Sequence, residues 1–106
     1  MRVFQNQSIS PALALVCCVH GNERYGLAVF EYFASRIDDY PGLKIILANE
    51  PAIAQNVWFV ETDLNRSFPG SPDGSAEERL AVEILREVAG VPTVLDVHTT
   101  TSDVAL

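Results

Sequence analysis

Ala12-Leu-Ala-Leu-Val-Cys-Cys-Val19, followed by His20-Gly-Asn-Glu23, is the stretch whose reading decides the fold. An uninterrupted apolar run of this length marks a strand covered on both faces, since a half-exposed strand would alternate. The short polar loop after it leads into a helical pattern over residues 24–37. There Leu27, Phe30 and Ala34 recur at helical spacing, and Val29, Phe33 and Ile37 widen the stripe. Asp38-Asp-Tyr-Pro41-Gly42 supplies turn chemistry to end it.

Working outward, residues 43–48 form a second apolar, β-rich run, whereas 51–59 show no decisive period. Ser71-Pro-Asp-Gly74 reads as a loop, and Ser75-Ala-Glu-Glu78 fits a capping box. The helix it opens extends to about residue 89, with Leu80, Ile84 and Val88 four apart and Ala81 and Leu85 beside them. Gly90 stops it, and 91–97 form a third strand. The expected order is strand, helix, strand, irregular segment, helix, strand. Such alternation predicts an α/β fold, with a mostly parallel sheet flanked by helices. Sites in such sheets gather at the carboxyl ends of the strands.

The 106 residues suffice for one small domain, expected to span 1–106, and the 48% hydrophobic content supports a packed core. After His98 the chain adds Thr-Thr-Thr-Ser-Asp-Val-Ala-Leu106 with neither turn signal nor polar tail, which reads as an interior cut of a larger protein. The net charge of −7 and the lack of a basic cluster argue against nucleic acid as partner. A carboxylate-bearing small molecule stays open, because one Arg can hold a carboxylate in a bidentate fork. The N-terminus has no apolar signal region, and no apolar stretch reaches membrane-spanning length. Cys17 and Cys18 are adjacent, and strand neighbours point to opposite faces, so buried reduced thiols and a cytoplasmic location are expected.

The two histidines, His20 and His98, each follow an apolar strand, and parallel strands would deliver both to the same sheet edge. Gly21 allows the tight loop that folds Glu23 back toward His20. Two imidazoles and a carboxylate, with one position left for water, form a common catalytic zinc set. A lone His at a strand end is more often a surface or capping residue, and that reading stands beside the metal one. Similarly, Asp63-Leu-Asn65-Arg66 before Pro69-Gly70 can be turn formers with a surface Arg, or a clamp in which Arg66 and Asn65 hold a substrate carboxylate.

Taken together, His20-Gly-Asn-Glu23-Arg-Tyr-Gly, Asp63-Leu-Asn-Arg66-Ser-Phe and Leu95-Asp-Val-His98-Thr-Thr resemble the succinylglutamate desuccinylase/aspartoacylase family, which is related to the zinc carboxypeptidases. The resemblance implies that the chain is the N-terminal, zinc-binding portion of a carboxypeptidase-like catalytic domain. It makes His20, Glu23 and His98 the ligands of one zinc ion per chain. Asn65 and Arg66 become the holders of the substrate carboxylate. Asp63, Asp96 and Thr99 become groups that orient ligands or loops. The implied reaction is hydrolysis of the amide bond of an N-acyl amino acid.

Three departures qualify the resemblance. The family's general-base glutamate lies well downstream of the third ligand, beyond Leu106, so no catalytic base is expected within the chain. Glu23 is no substitute, since a carboxylate bound to zinc is a poor proton acceptor. Trp58 stands where aspartoacylases carry an Arg, which leaves a dicarboxylic substrate in question. Thr99 stands where many members have Asn. Two alternatives share the same ligands: a carboxypeptidase-like metallopeptidase, and a metal- or ligand-binding domain without turnover. Very low hydrolase activity is expected of these 106 residues alone, together with self-association into a homo-oligomer through exposed apolar surface.

Overall fold

The computed structural model describes residues 1–99. Within them a four-stranded sheet is built from β1 (Arg2–Gln5), β2 (Leu13–Cys17), β3 (Leu43–Leu47) and β4 (Thr93–Val97), in the order β1-β3-β2-β4. Three helices accompany it: α1 (Arg24–Ala34), α2 (Glu50–Gln55) and α3 (Ala76–Val88). Short 3-10 turns cover Ile37–Asp39 and Leu64–Arg66.

The apolar runs occupy the centre, as their composition requires. β2 pairs in parallel with β3 on one side and β4 on the other. Successive residues of β2 and β3 face opposite ways, and each face finds its own helix. Leu15, Cys17, Ile45 and Leu47 pack with Phe30 of α1. Val16 and Ile46 instead pack with Ala81 and Ile84 of α3. The result is an α/β fold with a mostly parallel sheet between helical layers.

The structure departs from the sequence reading in four places. β1 is an additional strand, antiparallel to β3 with Arg2 opposite Leu47 and Gln5 opposite Lys44; it is short and at the edge, which left little pattern to read. The first helix ends at Ala34 rather than at 37, and Ile37 continues as a 3-10 turn. Residues 50–55 are helical, with Asn49 as N-cap, Pro51 in the first turn and Asn56 closing the helix at φ 53°. Those are ordinary helix start and stop signals, hidden because the helix is too short to show a period.

The fourth departure concerns the thiols. Cys18 leaves the strand at φ 59°, so both Cys17 and Cys18 enter the same core cluster instead of opposite faces. They remain unpaired and buried. Burial pushes the Cys17 thiol up to about 12 and the Cys18 thiol up to about 11, so neither is poised to react.

Candidate metal centre

β2 has β3 on one side and β4 on the other, and the carboxyl end of β2 is where the winding of the sheet reverses. Cys17 of β2 lies in register with Val97 of β4. The segments leaving these two strands therefore start side by side, one carrying His20 and the other His98. Glu23 occupies the N-cap position of α1, but its side chain makes no cap hydrogen bond there. It turns inward between the two imidazoles.

The nearby chain fixes that turn. The Glu23 N–H donates to the His20 carbonyl. Gly21 packs against the backbone of α2, where a Cβ would sit 2.2 Å from the Ala52 carbonyl carbon. This close approach, rather than an unusual φ, is what requires glycine at that position. Glu23 Oε1 lies 2.8 Å from His20 Nδ1 and 3.2 Å from His98 Nδ1. The three donor atoms of His20, Glu23 and His98 all fall within 4.8 Å of one another. His20 and Glu23 are buried, whereas His98 is at the surface.

The opposite nitrogens are also occupied. His20 Nε2 is 2.8 Å from Asp63 Oδ1, and His98 Nε2 is 2.8 Å from Asp96 Oδ2. Each ring thus meets a carboxylate at both nitrogens, although a neutral imidazole carries only one N–H. With that proton on Nε2, donated to Asp63 or Asp96, both Nδ1 lone pairs and the Glu23 carboxylate face one another. Only a proton or a metal cation makes such a set of acceptors stable together. A tetrahedral ion with bonds of about 2.0–2.1 Å separates its ligand atoms by about 3.3 Å, which compares with the 2.8 and 3.2 Å between Glu23 Oε1 and the two Nδ1 atoms. The residues fit a zinc-like ion.

The remaining oxygen of Glu23 is held by Thr99, whose N–H and Oγ1 both donate to Oε2. Burial alone would raise the Glu23 carboxyl, but the Thr99 bonds and His98 outweigh it and hold the group below the usual range. Asp63 behaves likewise: burial raises it, while His20, Trp58 and the Asn65 N–H together lower it. Burial acts to lower His98, yet the carboxylates of Asp96 and Glu23 raise it on balance.

Asp63 opens the 3-10 turn Leu64–Arg66, accepting from the Asn65 N–H at 3.0 Å. Asn65 is exposed, and the Arg66 side chain is 87% exposed, with its Nε 3.8 Å from Asp63 Oδ2. A cleft beside the centre is lined by Phe59, Glu61, Thr62, Asp63, Arg66 and Ser67. Arg66 lines that cleft with most of its side chain in solvent, at the outer limit of an ion pair with Asp63. Thr100, the last residue of the third motif, lies outside the described residues.

Two contributions escape the sequence reading, which named Trp58 only for standing at an aspartoacylase Arg position. Trp58 stacks on His20 with ring centroids 4.1 Å apart, its Nε1–H donates to Asp63 Oδ2 at 3.3 Å, and its carbonyl accepts from the Gly21 N–H. Glu77, on α3, is buried behind the same loop. The singular Trp58 was visible, but its partner lies far along the chain and no spacing rule connects them.

Comparison with known proteins gives a consistent result. Residues 9–106 match the succinylglutamate desuccinylase/aspartoacylase catalytic domain. The N-alpha-acetyl-L-2,4-diaminobutyric acid deacetylase of Halomonas elongata is 37% identical over 87 residues, covering 74% of this chain and 25% of that enzyme. Among solved structures, an aspartoacylase family protein from Mesorhizobium loti superposes with a TM-score of 0.75 at 31% identity, covering 85% of this chain and 31% of that one. The product-bound ectoine utilization protein of Ruegeria pomeroyi gives a TM-score of 0.74 at 29% identity over 89% of this chain and 31% of its own. The chain therefore spans about a quarter to a third of the length of these relatives.

Proposed function

From the premise that the chain belongs to the succinylglutamate desuccinylase/aspartoacylase family, we propose that it forms the zinc-binding portion of a hydrolase acting on the amide bond of N-acyl amino acids. One observation carries the proposal: two imidazoles, each oriented by an aspartate, converge with one glutamate on a single point.

In this reading His20, Glu23 and His98 hold one zinc ion. The bound ion supplies Lewis acidity, polarising the acyl carbonyl and lowering the pKa of a water molecule. The chain's own residues do the rest. Asp63 and Asp96 keep the Nε2 protons on His20 and His98, so that Nδ1 is the coordinating atom of both. Thr99 fixes the orientation of Glu23. Arg66 receives the substrate carboxylate in its guanidinium fork, with Asn65 donating beside it. The resemblance gives the role of proton acceptor for the attacking water to a glutamate downstream of the third ligand, and Asp63, Asp96 and Glu23, each committed to a histidine, do not take it. By the resemblance, Trp58 stands where aspartoacylases carry an Arg, so a second cationic anchor for a dicarboxylic substrate is missing at that position. A monocarboxylic N-acyl amino acid is therefore the favoured class. The buried thiols suit a reducing, cytoplasmic location; among the described residues no helix is long and apolar enough to cross a membrane.

Metal analysis of chain purified without chelator tests the ligand set. About one zinc per chain, lost on His98→Ala, is the expected result, and zinc at background level refutes it. Assays of a complete family protein carrying these residues, with N-acyl amino acids set against short peptides, separate this reaction from a carboxypeptidase-like one.

A further inference from the structure

We propose that Glu77 is a positioning residue of the metal centre, acting on His20 through the loop that carries Trp58 and Asp63. The inference rests on the metal-binding reading above.

Glu77 is 1% exposed and lies in the first turn of α3, on the face turned toward the sheet. A carboxylate is seldom buried so completely unless its oxygens are satisfied. Here four donors converge on it. Oε2 accepts from the Val60 N–H at 2.8 Å and from Asn49 Nδ2 at 2.9 Å. Oε1 accepts from the Glu61 N–H at 2.8 Å and the Thr62 N–H at 3.0 Å. Three consecutive backbone amides of a segment outside any helix or strand thus close on one side chain, and no sheet ladder holds them.

Each end of that segment touches His20 or its loop. Upstream, Trp58 stacks on the ring and its carbonyl accepts from Gly21. Downstream, Asp63 bonds Nε2. Asn49 adds a second route. It caps α2 through Ala52, whose backbone is the surface on which Gly21 packs. One buried carboxylate therefore ties together the two surfaces that confine His20. Glu77→Gln preserves shape, but offers one carbonyl oxygen and an NH2 donor to a nest of four donors. The loop must loosen on at least one side.

Trp58 is the one tryptophan of the chain, so its fluorescence reports this loop directly and without metal. In metal-free Glu77→Gln the emission is expected to shift to the red, with roughly twofold faster quenching by acrylamide. Zinc affinity, measured against a chromophoric chelator, is expected to fall about tenfold, at the low end for groups that orient ligands. Val88→Ala, a cavity variant in the last turn of the same helix and about three turns from Glu77, is expected to leave both readouts unchanged. If Glu77→Gln does not fold, the wild-type chain still decides. Coupling is reciprocal, so zinc must slow amide exchange at Val60, Glu61 and Thr62. Unaltered Trp58 emission and zinc affinity in a folded Glu77→Gln, equal losses in Val88→Ala, or zinc-independent exchange at those amides overturns the proposal. A wild-type chain that binds no zinc overturns the metal reading instead, and the metal-free Trp58 measurement then judges Glu77 alone.

Discussion

Asp63→Asn isolates the orienting bond behind His20. Asp63 Oδ1 accepts from His20 Nε2 at 2.8 Å and from the Asn65 N–H at 3.0 Å, while Oδ2 accepts from Trp58 Nε1 at 3.3 Å. An asparagine has one acceptor oxygen. With that oxygen toward His20, its NH2 opposes the Trp58 N–H. With the amide reversed, two donors meet at His20 Nε2, and the ring is driven to put its proton on Nδ1, where the metal should bind. The first orientation loses the Trp58 contact and the second loses both the His20 and the Asn65 contacts, and the negative charge that favours the Nε2 proton is lost in both. Removing such a partner typically weakens metal binding about 10- to 100-fold, or about 1.4–2.8 kcal/mol.

The same loss appears in stability. Zinc at 100 times the wild-type Kd stabilises the fold by about 2.7 kcal/mol, whereas at the same concentration the variant gains only about 0.4–1.4 kcal/mol. For a domain of this size each kcal/mol moves Tm by roughly 4–8 °C, so the difference lies well above measurement error. Chelator competition gives the affinity, and thermal unfolding with and without zinc gives the linked stabilisation. Asp38→Asn, an exposed acid in the Ile37–Asp39 turn, is the charge-matched control. If Asp63→Asn keeps zinc affinity within about twofold of wild type, the assignment of Nδ1 as the ligand atom fails.

Three further outcomes are expected. Gly21→Ala places a Cβ 2.2 Å from the Ala52 carbonyl carbon and 2.5 Å from its Cβ; urea unfolding is expected to show a loss of about 1–3 kcal/mol or more, and a wild-type midpoint contradicts the close approach. Glu77 has its carboxyl pulled below the usual range: burial opposes this, but the Thr62 amide, Asn49 and the other two amides prevail. A depressed folded value gives stability that is present above the unfolded pKa of about 4.3 and lost as pH falls through the folded one. Metal-free chain is therefore expected to destabilise below about pH 4, and Glu77→Gln to flatten that slope without abolishing it, because Glu23 and Asp63 carry the same sign. A parallel slope in the variant excludes Glu77 as a contributor. Finally, Leu95 on edge strand β4 is 51% exposed and Val94 beside it 44%. Light scattering at high concentration is expected to show association that Leu95→Lys reduces, and a monomeric wild type counts against it.

The parts of this fold that were legible share one property: their signal is local. The runs around Leu15 and Ile45 announce central strands because both faces are covered. The Ser75/Glu78 capping box forms as its four-residue pattern predicts, each side chain bonding the other's backbone. His20, Glu23 and His98 could be brought together on paper because parallel neighbouring strands end in register. β1 and α2 were missed because short elements leave little periodicity. Glu77, and the packing of Trp58 on His20, were missed for another reason. Glu77 serves amides 15 to 17 positions away along the chain, and its place on α3 looks like that of any acid suited to a helix N-terminus.

Local rules fail where the site is built, and the failures have direction. Glu23 stands at an N-cap yet leaves its helix uncapped, forgoing about 1 kcal/mol of local stability, because its carboxylate is committed to two imidazoles. Cys18 accepts a left-handed backbone that a non-glycine residue rarely adopts, and the chain thereby turns out of β2 toward His20. Gly21 trades its side chain for contact with Ala52. All three fall within six residues, between the end of the central strand and the start of its helix. Conflicts between local preference and observed conformation concentrate where other constraints dominate. Here that constraint is convergence of three ligand atoms on one point, which strand register brings near and these exceptions complete.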